Sequence, residues 1–261
     1  MDIYLGATLP NMTADQVWNA GQLAAGAWSH SSIACTGLTI SLKKQAEATA
    51  DVGLDGKNVI VFRTDTWCAQ PASDAQPCNP ANAMAVTTLF KNKTTGEIVD
   101  ADMEINAANF AWADLVADPE LDDGSVADLQ NTLTHELGHV IGLAHTCYSS
   151  SDGPAPLLDN TGNPELACSA PNLPASVTDA TMYPMVPIND TDRRTLTPDD
   201  KQAPCDVYPS SAGVCGASSG SGCSVVGATD SEPARVWSVG LAGFLALALV
   251  HLAHRRSRAS S

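Results

Sequence analysis

The chain has 261 residues, 44% of them hydrophobic, enough for one large domain or for one domain with attachments. Residues 1–234 hold nine basic against 29 acidic residues, a net charge of −20, because four of the 13 basic residues lie at or beyond position 235, where no acid occurs. Such a surface repels phosphates, which excludes nucleic acid as a partner.

MDIYLGATLPNM (1–12) has neither a basic start nor a long apolar run, so it reads as the first strand of a domain, with a signal peptide expected upstream of this chain. TADQVWNAGQLAAGAWS (13–29) predicts a helix. Thr13 and Gln16 have capping-box spacing, and Val17, Ala20, Ala24 and Trp28 recur on one face. GLTISL (37–42), NVIVFR (58–63) and AVTTLF (85–90) are β-branched runs that predict strands, the second apolar enough for the inside of a parallel sheet. After a turn at NKTTG (92–96), EIVDADMEIN (97–106) alternates Ala101, Met103 and Ile105 with Asp100, Asp102 and Glu104. That pattern predicts an edge strand with one wet face.

A second helix is expected from about Ser125 through DLQNTLTHELGHVIG (128–142), and beyond Thr146 a long Pro/Asn/Asp/Ser-rich loop to about Asp179. TPDDKQAPCDVY (197–208) predicts a last helix, with Thr197 as N-cap, Pro198 in the first turn, and Asp199 and Asp200 complementing the helix dipole. From Pro209 the composition becomes that of a flexible linker. It leads to 18 largely apolar residues, VWSVGLAGFLALALVHLA (236–253), and then Arg255, Arg256 and Arg258. This run predicts one membrane span with its basic end in the cytoplasm. The expected organisation is a domain at 1–209, a Gly/Ser-rich linker at 210–235 and an apolar helix with an arginine-rich end at 236–261.

Eight cysteines, none in C-x-x-C spacing, point to an oxidising compartment. Cys68 with Cys78 and Cys147 with Cys168 bracket irregular stretches and are candidate disulfides, free buried thiols being the alternative.

The chain has six histidines, and three of them fall in HELGHVIGLAH. Residues four apart share a helix face, so His135 and His139 can offer nitrogens to one ion. Gly142 tolerates the positive φ of a sharp exit, which swings His145 back towards the same ion. Three neutral nitrogens with an open fourth position suit a catalytic Zn2+. Glu136, beside the first ligand, is placed as general base and then acid. A chance match to five fixed positions is on the order of 10⁻⁵ per chain of this length, so solvated surface histidines are a poor explanation.

HExxHxxGxxH resembles the metzincin metalloproteases, and ATMYPM (180–185) resembles their methionine turn, with Met182 supporting the zinc site. DADMEIN, GLAHT and MYP followed by LTPDD resemble the matrixins (matrix-metalloprotease-like) in particular, over roughly residues 1–209. The resemblance implies an α/β fold of the α+β metzincin-like kind. Its parts are a twisted, mostly parallel five-stranded sheet with one antiparallel edge strand, two long helices, and a small C-terminal subdomain with the methionine turn and last helix. It implies a zinc endopeptidase with a protein or peptide substrate, held by β-augmentation along an edge strand at 99–105 (Val99, Ala101, Met103) and walled by Pro184 and Val186. Human-type matrixins usually carry tyrosine where Val186 stands, so their pocket preference is not carried over. Their second, structural zinc needs upstream histidines, and His30 is the only one here. Ca2+ at Asp100, Asp102 and Glu104 is the alternative to a solvated strand face.

SGCSVVG, an apolar helix and an arginine cluster resemble the myxobacterial C-terminal sorting signal (MYXO-CTERM). That resemblance implies a bacterial, exported or surface-anchored protein with Cys223 as the processing and anchoring point. The competing function is a catalytically silent zinc-binding surface protein, which an altered Glu136 would favour.

Overall fold

The computed structural model describes residues 1–6, 9–44, 51–68, 78–149, 158–159, 162–210 and 234–240. In chain order the strands are β1 (Asp2–Leu5), β2 (Ser41–Lys44), β3 (Asn58–Arg63), β4 (Ala83–Lys91), β5 (Ile98–Asn106), β6 (Ala111–Ala113), β7 (Val126–Asp128), β8 (Met185–Val186) and β9 (Ala234–Gly240). The helices are α1 (Ala14–Ala27), α2 (Leu129–Val140), α3 (Ala175–Thr178) and α4 (Pro198–Val207), with short 3₁₀ turns at Pro119–Leu121 and Asp192–Arg194.

The fold is a mixed α/β architecture. Five strands in the order β2-β1-β3-β5-β4 make the main sheet, parallel except for β4, which runs antiparallel to β5. β9 and then β8 extend the sheet beyond β4. β6 and β7 form a separate parallel pair.

α1 begins where Thr13 and Gln16 form the expected capping box, and it buries Val17, Ala20, Ala24 and Ala25. Trp28, fully buried at the end of α1, donates from Nε1 to the Thr134 carbonyl at 2.7 Å and so fastens α1 to α2. α2 starts later than expected. Residues 126–128 first pair with β6, and Asp128 then caps the helix by accepting the Asn131 N–H at 2.8 Å. All twelve residues of α2 are buried. Leu129, Leu133 and Leu137, one above the other at every fourth position, each contribute about 1.5–3 kcal/mol of burial.

α4 has the expected cap: Thr197 and Asp200 form a capping box with Pro198 in the first turn. Its cysteine, Cys205, pairs with Cys35, tying α4 to the loop after α1. The Gly37 N–H on the Tyr208 carbonyl at 2.6 Å and the Ser210 N–H on the Cys35 carbonyl at 2.8 Å reinforce that seam. The two candidate pairs, Cys68–Cys78 and Cys147–Cys168, are also disulfides. Three disulfides fit an extracellular or otherwise oxidising environment.

Three expectations are corrected. β5 is not an edge: it lies between β3 and β4, so Val99, Ala101 and Met103 belong to an interior strand, and β4 stands outside it. The face of β5 carrying Asp100, Asp102 and Glu104 is not wet, since the three are at most 1% exposed. The loop at 51–57 and the first residues of β3 supply hydrogen-bond donors to that face, which alternation of polar and apolar residues cannot reveal. Third, among the described residues no helix is long and apolar enough to cross a membrane. The first five residues of the expected span, 236–240, are instead part of β9, as β-branched and aromatic residues allow. The membrane assignment is corrected on that finding, both as a span and as a partner. The rest of that segment, 241–261, lies outside the described residues, as does most of the linker with Cys223.

Candidate metal centre

The His135, His139 and His145 side chains converge, each at most 5% exposed. His139 Nε2 lies 3.1 Å from both His135 Nε2 and His145 Nε2. A shared ion held at about 2.05 Å in tetrahedral geometry separates its nitrogen ligands by about 3.3 Å, close to what is seen.

Each ring is aimed by a backbone carbonyl. His135 Nδ1 bonds to the Thr181 carbonyl at 2.6 Å, and His139 Nδ1 to the Leu143 carbonyl at 2.8 Å. A carbonyl only accepts, so both Nδ1 atoms carry the proton and both Nε2 atoms turn a lone pair inward. Burial, together with the neighbouring His145, pushes His135 down to about 3, and burial also holds His139 well below its ordinary value. Neutral imidazoles are what metal ligation requires. The triad is therefore a cluster that could hold a metal ion, and with the mostly parallel sheet it fits a zinc-binding fold.

The backbone that delivers these carbonyls follows from the sequence. At the end of α2 the Leu143 N–H bonds to the Gly138 carbonyl at 3.0 Å and the Gly142 N–H to the His139 carbonyl at 2.8 Å, a Schellman exit with Gly142 at φ +96°. That exit points the Leu143 carbonyl at His139 and sends the chain back to His145. The turn at 180–183 performs two similar tasks. Thr181 holds His135 through its carbonyl, while the Met182 carbonyl accepts the Thr146 N–H at 3.2 Å and so anchors the residue after His145. Asp200 at the head of α4 steadies that turn by accepting the Thr181 N–H at 3.0 Å.

Met182 is buried directly beneath α2. A Cβ on Gly138 would stand 2.2 Å from its sulfur and 3.1 Å from the Trp28 ring, so only glycine fits between the two ligands on α2. Glu136 is fully buried. The Thr87 hydroxyl, on β4, donates to Glu136 Oε2 at 2.6 Å. Pro184 and Val186 line a cleft that also includes His135, Thr132, Tyr183 and Met84. Val99, Ala101 and Met103 are not among its lining residues.

Several supports were not visible in the sequence. Thr87 reads there only as a β-branched strand residue. Arg194 bonds from Nε to Asp128 Oδ1 at 2.8 Å and pairs with Asp114 at 2.6 Å, clamping the start of α2 to the segment before α4. Burial raises the Asp114 carboxyl, but the hydrogen bond and charge of Arg194 together with the Ala117 and Val116 N–H groups outweigh it and hold the group below the usual range. Tyr208 donates its hydroxyl to the Ile141 carbonyl at 3.0 Å, bracing the other end of α2. No family model matches the chain, and no curated protein matches it in sequence.

Proposed function

We infer that this chain is an exported, zinc-dependent endopeptidase of the metzincin type, close to the matrixins. The observation that carries the reading is the convergence of three buried histidine side chains beside a buried glutamate one residue along the same helix from His135. Three imidazole nitrogens with room for a fourth ligand suit zinc better than the hard, oxygen-seeking cations.

His135, His139 and His145 would hold the ion. When bound, zinc supplies Lewis acidity towards water and towards a carbonyl. Glu136, held through Oε2 by Thr87, accepts the proton of the attacking water and returns it to the leaving amine. Water adds its oxygen to the carbonyl carbon, the C–N bond breaks, and the amine departs protonated. β4, whose outer side is paired with residues 234–240, is the strand on which an extended peptide would align through backbone hydrogen bonds, and the cleft at Pro184 and Val186 borders a side chain. The disulfides support action outside the cytoplasm.

The test is zinc content by mass spectrometry and hydrolysis of a broad peptide library, for the full chain and for Glu136→Ala. One zinc per chain in both, with cleavage reduced about 10²–10⁴-fold in the variant, is the expected result. One zinc in both with no cleavage by the wild-type chain overturns the peptidase and leaves a zinc-binding protein.

A further inference from the structure

β4 does not present a bare edge. Residues 234–240 of the same chain pair with it antiparallel, from Leu89↔Ala234 through Thr87↔Val236 to Ala83↔Val239, with one irregularity between Ala83 and Ala85. The far end of the segment pairs in parallel with β8, through Met185↔Val239 and Val186↔Gly240. Both neighbours belong to the candidate site. Thr87, opposite Val236, is the residue whose hydroxyl holds Glu136. β8 continues from the turn whose Thr181 carbonyl holds His135. Residues 236–239 therefore bridge the strand beside the proton acceptor and the strand beside a metal ligand. β9 also comes within 8 Å of α2, Cα to Cα.

We propose that β4 and β8 form a slot for an extended peptide and that residues 234–240 are its built-in occupant, an autoinhibitory strap that a substrate must displace. The backbone arrangement is β-augmentation in cis: main-chain pairing supplies affinity with little demand on sequence. A segment tethered in the same chain competes at an effective concentration on the order of millimolar, so a free peptide at about micromolar levels loses to it. The inhibitory consequence rests on the peptidase reading, whereas the slot and its occupant rest on strand register alone.

The test compares the full zinc-loaded chain with the double variant Val236→Pro/Trp237→Pro. Alternate residues of an antiparallel strand turn their N–H groups to the same neighbour, so two consecutive prolines remove at least one donor to β4. In a Glu136→Ala background, which keeps bound peptide intact, a fluorescent peptide of residues 232–242 is titrated against both proteins and followed by anisotropy. At least about tenfold tighter binding to the double-proline chain is expected. With Glu136 restored, hydrolysis of an unrelated peptide should rise at least about tenfold in the double variant. Equal peptide binding by both chains overturns the strap. Tighter binding by the double variant without hydrolysis by either keeps the strap and removes the peptidase. Equal hydrolysis together with equal binding removes the strap and keeps the peptidase. If the double variant fails to unfold cooperatively, amide exchange on the unaltered chain decides. Amides 235–239 should be protected and should lose protection under excess peptide; no protection overturns the proposal.

Discussion

Two rows of polar side chains lie in the interior of this protein, and they differ in what they ask of their surroundings. On β5, Asp100, Asp102 and Glu104 point to one face at every second residue. Each carboxylate meets donors from its own chain. Asp100 takes the N–H groups of Asp55 and Gly56 at 2.9 and 2.7 Å, and Asp102 those of Gly53 and Val59 at 2.8 and 3.1 Å. Glu104 takes Arg63 Nε at 2.8 Å, and Arg63 is paired also with Asp51. On α2 and its exit the arrangement is reversed. The donors of two imidazoles are spent outward on carbonyls, so the acceptor nitrogens of His135 and His139 face one another at 3.1 Å, with His145 Nε2 at the same distance from His139. Buried polarity alone marks no site. A row that carries its own donors is sealed, while acceptors turned on acceptors call for a cation.

The largest consequence is a difference between metals. Stripping zinc with a chelator should lower stability by about 4 kcal/mol relative to zinc at a thousandfold excess over its Kd. In a domain of this size that is on the order of 10 °C in Tm, readable by calorimetry. Excess calcium should leave the Tm of the stripped chain unchanged, because the acid row already has its donors. A calcium-dependent rise of similar size would break the contrast. The same contrast is sharpened, at smaller amplitude, by two glycines. Gly26 in α1 has nothing within 4 Å of an added Cβ, so Gly26→Ala should be neutral or stabilising by up to about 1 kcal/mol. Gly138→Ala must move Met182 or Trp28. It should cost about 1–3 kcal/mol and weaken zinc binding about tenfold, measured by competition with a chromophoric chelator. Unchanged affinity would mean that the ligands do not depend on the methionine's place.

The histidine cluster was legible because helical spacing is a local rule: positions 135 and 139 share a face wherever the helix goes, and Gly142 announces the turn. The caps at Thr13 and Thr197 were legible for the same reason, as were two disulfides that close short loops. Cys35–Cys205 spans 170 residues, and nothing local joins its ends. The rank of β5 within the sheet was misread because alternation reports the polarity of a face, and a loop folding over that face replaces water unseen. β9 was misread for a related reason. An apolar run has no period to separate a strand from a buried or membrane helix. Thr87 and Arg194 carried no signal, since each acts through a partner at least 49 residues away, and Asp200 was legible as a helix-start acid but not as the acceptor of the Thr181 N–H.

A pH dependence tests how well the acid row is sealed. Burial, with the charge of Asp100 adding to it, pushes the Asp102 carboxyl up from 3.8 to about 7, against the pull of the Gly53 and Val59 N–H groups. Between about pH 4 and pH 7 the folded chain then binds more protons at this site than the unfolded chain, so stability falls as pH rises. The contribution is fully present below 3.8 and is lost through about 7, with a slope of at most ~1.4 kcal/mol per pH unit. Histidine protonation changes stability in the opposite sense, but it is common to wild type and Asp102→Asn and cancels in their difference. Urea unfolding of both under the same metal conditions, at about pH 5 and about pH 7, isolates the contribution of Asp102. The wild-type chain should lose stability relative to the variant as pH rises. A flat difference would mean that the loop donors fully offset burial, and that the carboxylate row is an ionised, self-sufficient counterpart to the histidines rather than a strained one.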